Sequence, residues 1–153
     1  MKIFDIKEKQ GYLREVAELT QNEWGSKELS KEEYEEKVNL KINKIKSLWD
    51  DIRYCKLLLL EDETLIGFIS MFPTDGDERQ DLTPWYATMY VKKEYRGKGY
   101  SKFLNDAILA EARKRGFEKL YLKSELVNYY EKFGAKYIET LNNGEKLYYI
   151  DLQ

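Results

Sequence analysis

One stretch, Trp85 to Gly116, constrains the fold more than any other. It reads WYATMYV, then KKEYRGKG, then YSKFLNDAILAEARKRG. The first part is rich in aromatic and β-branched residues and has no turn formers, so it predicts a strand. Lys92 to Gly99 holds four basic residues and two glycines and predicts a loop. From Tyr100 the apolar residues Phe103, Leu104, Ala107 and Ile108 recur at helical spacing. Gly116, after three basic residues, is a helix stop.

A strand feeding a helix through a glycine turn can trap an anion. The first helical turn has unpaired N–H groups and partial positive charge, and glycines let a ligand approach the backbone. Arg96 and Lys98 add mobile cations, so Arg96 to Ser101 reads as a phosphate or pyrophosphate cradle. An ordinary basic surface loop ahead of a surface helix carries the same signature. Two nucleotide motifs are excluded by pattern. There is no G-x-x-x-x-G-K-[ST], and Gly97 and Gly99 do not extend to G-x-G-x-x-G, because position 102 is Lys102.

The flanking chain supplies further elements. Lys2 to Ile6 predicts a short strand, and Gly11 to Trp24 a helix with Leu13, Val16, Ala17 and Leu19 inward. Ser30 and Glu33 form a capping box, after which Tyr34, Val38, Ile42, Ile45 and Trp49 make one helical stripe. Tyr54 to Leu60 reads as a buried strand and Thr64 to Phe72 as its partner across an acidic turn. Pro73 to Pro84 is a loop with Asp75, Asp77, Glu78 and Asp81. It is either a hydrophilic surface loop or an acidic mouth that attracts a cationic amine. Lys119 to Lys123 alternates as a strand, and a helical turn or two follows over Val127 to Phe133. Lys136 to Leu141 and Lys146 to Leu152 are strands joined at Asn142-Asn143-Gly144, a hairpin signal.

Composition limits the chemistry. The chain has 153 residues, the length of one domain with one core. A net charge of −2 disfavours general nucleic-acid binding. The longest apolar run, Leu57 to Leu60, cannot span a membrane, and no targeting segment is legible, so the expected location is the cytoplasm. The absence of histidine removes Ser-His-Asp and Cys-His hydrolase chemistry and most zinc sites. The lone Cys55 sits in an apolar run and is expected in the core rather than as a nucleophile.

Val91-Lys-Lys-Glu-Tyr-Arg-Gly-Lys-Gly-Tyr-Ser101 resembles motif A of the GNAT superfamily of N-acetyltransferases, written [Q/R]-x-x-G-x-[G/A] after a strand. Arg96 and Gly99 match it, and Ser101 stands where the family has Gly or Ala. Asn128-Tyr-Tyr-Glu-Lys-Phe-Gly134 resembles motif B, F-Y-x-x-x-G-F, with Ala135 in place of the last aromatic. Lys123 occupies a position that is often Asn in the family. Leu82-Thr-Pro-Trp85, together with Glu23-Trp24-Gly25, resembles a subset of bacterial single-domain members.

The resemblance implies an α+β fold with a mixed, twisted sheet of about seven strands and about four helices. Acetyl-CoA would lie where the fourth and fifth strands splay. Its pantetheine would pair with the backbone of Met89, Tyr90 and Val91, and its pyrophosphate would sit on the N–H groups of Arg96, Gly97, Lys98, Gly99, Tyr100 and Ser101. Tyr130 would donate a proton to the leaving thiolate, and an N–H near Val91 would hold the thioester carbonyl. No metal is implied. The acceptor would be a small-molecule or peptide amine, and the family allows a homodimer. Asp81, Glu125 or water are the positions open for the base. Two other readings stand beside the enzyme: an acyl-CoA-binding sensor without turnover, and a partner-binding module using Lys92, Lys93, Arg96 and Lys98.

Overall fold

The computed structural model describes residues 1–126 and 128–153. Among these residues are seven strands and three α-helices: β1 (Lys2–Asp5), α1 (Leu13–Trp24), α2 (Lys31–Leu48), β2 (Cys55–Glu61), β3 (Thr64–Phe72), β4 (Trp85–Val91), α3 (Tyr100–Lys114), β5 (Lys119–Ser124), β6 (Ala135–Thr140) and β7 (Lys146–Asp151). The strands form one mixed sheet in the order β1-β2-β3-β4-β5-β7-β6. All neighbours are antiparallel except β4 and β5, which run parallel. This is the α+β architecture expected from the sequence. In place of a fourth helix there is a single 3-10 turn, Tyr130–Phe133. The expected turn began at Val127, which lies outside the described residues.

Each helix forms where its apolar spacing gives it a face to bury. In α1, Leu13, Val16 and Ala17 are buried. In α2, Ser30 and Glu33 close the capping box in both directions, and Val38 and Ile45 are buried along the expected stripe. Both helices cover one face of the sheet, against Leu58, Leu60 and Phe68. Helix α3 covers the other face with Leu104, Ile108 and Leu109, against Leu57, Leu59, Ile66 and Ile69. Strand β2 is buried on both faces, which is why its sequence runs apolar without alternation. The buried Cys55 belongs to this core, and burial pushes its thiol up to about 12, so it is inert at neutral pH.

Two features of the central strands position the site. Gly67 lets β3 and β4 approach closely, since a Cβ there would lie 2.3 Å from the Tyr90 carbonyl oxygen. Strand β4 then bulges. Phe68 pairs with Tyr90 and Ser70 with Ala87, so Ile69 alone faces Thr88 and Met89. Thr88 takes φ +49°, a conformation that costs a non-glycine residue about 1–3 kcal/mol. Bulges bend a strand and re-aim its side chains, and this one lies beyond the one residue of β4 that pairs with β5, Trp85.

Candidate functional site

Strands β4 and β5 share one register pair, Trp85 with Tyr121, and diverge beyond it. Trp85 is fully buried and anchors the closed end against Leu141 and Leu147. The open end is the splay expected between the fourth and fifth strands. Its β4 edge presents free backbone groups. Lys92 N–H donates to the Ile66 carbonyl (2.9 Å) beside the Val91–Gly67 pair. Val91 is therefore a non-hydrogen-bonded partner of Gly67, and its own N–H and C=O point away from β3 into the gap. The carbonyl accepts from Arg96 Nε–H (2.8 Å), which leaves the N–H facing the gap.

The loop after β4 turns back as a 3-10 turn, Lys93–Tyr95, and delivers the chain to α3. Gly97 and Gly99 adopt φ +78° and +84°, which side chains disfavour, and among the described residues no atom beyond the adjacent residues lies within 4 Å of where a Cβ would sit on either. Gly99 caps α3 without a side-chain acceptor, and the first turn contains no acidic residue. The N–H groups and partial positive charge at this helix start are thus available to an anion.

A groove of about 380 Å³ runs along these elements. Eight of the nine residues expected to hold the cofactor line it: Met89, Tyr90, Val91, Arg96, Gly97, Gly99, Tyr100 and Ser101. Lys98 does not; its ammonium lies over the Tyr95 ring, 5.9 Å from the centroid. Arg96 also departs in detail, because its N–H already donates to the Lys93 carbonyl (3.3 Å). Its guanidinium braces Val91 and stacks near Tyr90 (5.5 Å). A larger concavity of about 520 Å³ follows the exposed face of α2, but a single helix lines it and nothing converges there.

The groove adjoins a second cavity of about 390 Å³, with Met89 and Tyr129 lining both. Tyr130 lines this second cavity, held edge-on by Tyr129 (4.8 Å) and Tyr86 (6.0 Å). Burial, and secondarily Tyr129, raises the Tyr130 pKa, so the phenol keeps its proton at neutral pH. Tyr86, also on the cavity wall, has a buried hydroxyl without a hydrogen-bond partner among the described residues, and burial raises its pKa too.

The carboxylates sort differently from the sequence expectation. Neither Asp81 nor Glu125 lines the cavity. Asp81 is clamped by Arg79 through two 3.0 Å hydrogen bonds, which hold its carboxyl below the usual range. Arg79 also reaches Glu139 (2.5 Å), and Glu78 accepts from the Asn142 N–H (3.1 Å). These contacts pin the Pro73–Pro84 loop rather than form an open acidic mouth. Asp75 is the acid that does line the cavity; burial raises its pKa, opposed by Lys123. Lys123 donates to the Asp75 backbone carbonyl (2.7 Å) and so ties β5 to this loop. Sequence reasoning had no way to separate Asp75 from the other loop acids. Trp24, half exposed at the end of α1, stands at the mouth, edge-on to Tyr90 (6.1 Å).

A profile of the acetyltransferase (GNAT) family matches residues 13–135. The chain belongs to this family, the acetyl-CoA-dependent N-acetyltransferases. Similar solved structures include the aminoglycoside 6'-N-acetyltransferase from Enterococcus faecium, with 16% identity, TM-score 0.73, and coverage of 100% of this chain and 98% of that one. PaiA N-acetyltransferase from Thermoplasma acidophilum in complex with coenzyme A has 24% identity, TM-score 0.61 and coverage of 99% of each chain. YncA from Salmonella typhimurium with acetyl-CoA has 15% identity, TM-score 0.70, and coverage of 99% of this chain and 94% of that one. At these identities the likeness is one of fold. Among curated proteins the sequence has no match. Among the described residues no cluster of His, Cys, Asp and Glu could hold a metal, and no helix is long and apolar enough to cross a membrane.

Proposed function

We propose that the chain, acting as one domain over residues 1–153, moves the acetyl group of acetyl-CoA directly to a primary amine, with Tyr130 as proton donor to the departing thiolate. The observation that carries this reading is that the two cavities adjoin across Met89 and Tyr129. An anion-receptive helix start lies at one end, a protonated tyrosine at the other, and a strand edge with an inward N–H runs between them. The residues present fit the co-substrate. Gly97 to Ser101 offer N–H groups to phosphates, and the Val91 N–H can meet an amide of the pantetheine arm or the thioester carbonyl. Acetyl-CoA supplies an activated acyl group, so no covalent acyl-enzyme is needed, in keeping with the inert Cys55.

A lysine-like amine is protonated at neutral pH and must lose a proton before it attacks. Asp75 faces the same cavity as Tyr130, and its carboxylate attracts the ammonium and takes that proton directly or through water. Attack leaves the nitrogen with a second proton to lose. As the carbon–sulfur bond breaks, Tyr130 transfers its own proton to sulfur, and the nitrogen's remaining proton, passed through water, restores the phenol. The test is Tyr130→Phe. Loss of a general acid lowers turnover by about 10²–10⁴-fold, while acetyl-CoA affinity stays within a factor of about two because Tyr130 lies outside the phosphate groove. Unchanged turnover, measured by release of coenzyme A thiol, would remove Tyr130 from the chemistry.

A further inference from the structure

Behind the β4 bulge lies a third cavity, about 190 Å³, between helices α1 and α2 and the sheet. Lys56, on β2, lines it and is only 3% exposed. Among the described residues no carboxylate lies within ion-pairing reach of its ammonium. Its charged or ionisable neighbours are Lys44 and Cys55, and its nearest stabilising contact is the Phe68 ring, 4.8 Å from the centroid. Tyr54 and Thr88 line the same cavity, and each has a buried hydroxyl without a partner among the described residues. Thr20, Lys41 and Lys44 complete the polar wall, and no acid lines it among the described residues.

This is a donor-rich pocket with no anionic acceptor among the described residues. Burying an unpaired ammonium is costly, and a carboxylate would offset that cost while satisfying the two hydroxyls. The pocket adjoins the reacting groups. Thr88 lines both it and the cavity of Tyr130 and Asp75, and Met89 follows it directly in the chain. A ligand bound beside Thr88 could therefore bring an amine toward Asp75 and a carboxylate toward Lys56. We propose that the Lys56 pocket receives a carboxylate of the acceptor, so that the amine acetylated belongs to a small amino carboxylate rather than to a purely cationic amine. This specificity rests on the acetyl-transfer reading above.

The test compares L-amino acids with their amides, which keep the amine and lose the carboxylate. Wild-type protein and the Lys56→Met variant are each read in two ways: by binding, as thermal shift in the presence of coenzyme A, and by turnover, as released thiol. A buried charge pair that loses one partner costs affinity by at least about tenfold, so wild type should favour some acids over their amides by that factor in binding and in kcat/KM. Lys56→Met should level the two. Tyr54→Phe, which removes only a hydroxyl, should narrow the ratio by about threefold in a folded protein. Acids and amides handled alike by wild type, no selective binding of acids, or a preference that survives Lys56→Met would each overturn the proposal. Selective binding of acids without thiol release would support the pocket and sink the enzyme reading. Thiol release from both alike would do the reverse.

Discussion

Replacing Lys56 with methionine should stabilise the protein at neutral pH, and the gain should shrink as pH rises. Burial lowers the Lys56 pKa from 10.5 to about 7, with its first cause the loss of water around the ammonium. Such a displacement corresponds to about 5 kcal/mol of differential stability between the charged and neutral forms. The sign follows from proton binding. Between about pH 7 and 10.5 the unfolded chain holds the lysine proton and the folded chain does not, so wild-type stability rises with pH across that window. Methionine has a similar length and no charge, so it removes this dependence. After allowing about 1–2 kcal/mol for the lost contact with Phe68, the net gain at pH 7 is on the order of 3–4 kcal/mol. For a chain of this size that raises the midpoint by roughly 6–16 °C. Urea unfolding of both proteins at pH 7 and pH 10 is the assay, and the difference between them should narrow by about 3–4 kcal/mol from the lower to the higher pH. A variant less stable than wild type at pH 7, or a gain equal at both pH values, would refute the reasoning.

Other outcomes follow from the same geometry. Gly99→Val should weaken acetyl-CoA binding by about a hundredfold or more, because a branched side chain both disfavours φ +84° and fills the space beside the cradle; calorimetric titration measures it, and intact affinity in a folded variant would contradict the cradle. Asp75→Asn should lower kcat/KM by about 10²-fold and remove the acid limb of the pH profile. In wild type that limb should fall above the ordinary carboxylate range, since burial raises the Asp75 pKa in the free enzyme. A profile unchanged by the substitution would leave the proton to water alone.

Much of the fold was legible because periodicity and turn chemistry agreed. The stripe on α2, the capping box at Ser30, the uniform apolar run of β2 and the Asn-Gly hairpin each carry a local physical cause. The groove proposed for acetyl-CoA was legible for the same reason, since glycines at positive φ before an uncapped helix leave a mark in the sequence. The bulge at Thr88 was not, because no residue type there announces a left-handed conformation; it arises from the mismatch of β4 against β3 and β5. Lys56 did leave a signal, a lysine inside an otherwise apolar strand, yet only the packing of α1 and α2 shows that its ammonium is enclosed. Asp75 could be told from Asp81 only by the path of the loop, which Arg79 and Lys123 fix through contacts distant in sequence.

The central claim is that the β4–β5 gap and the Gly97–Ser101 loop together hold acetyl-CoA. Thermal unfolding with acetyl-CoA, coenzyme A and ATP, side by side, tests it most directly. A ligand at 100 times its dissociation constant adds about 2.7 kcal/mol, or roughly 5–11 °C for a chain of this size. The account predicts that shift with acetyl-CoA and coenzyme A and little with ATP, which carries phosphates but no pantetheine arm for the Val91 edge. No shift with either coenzyme, or an equal shift with ATP, would contradict it.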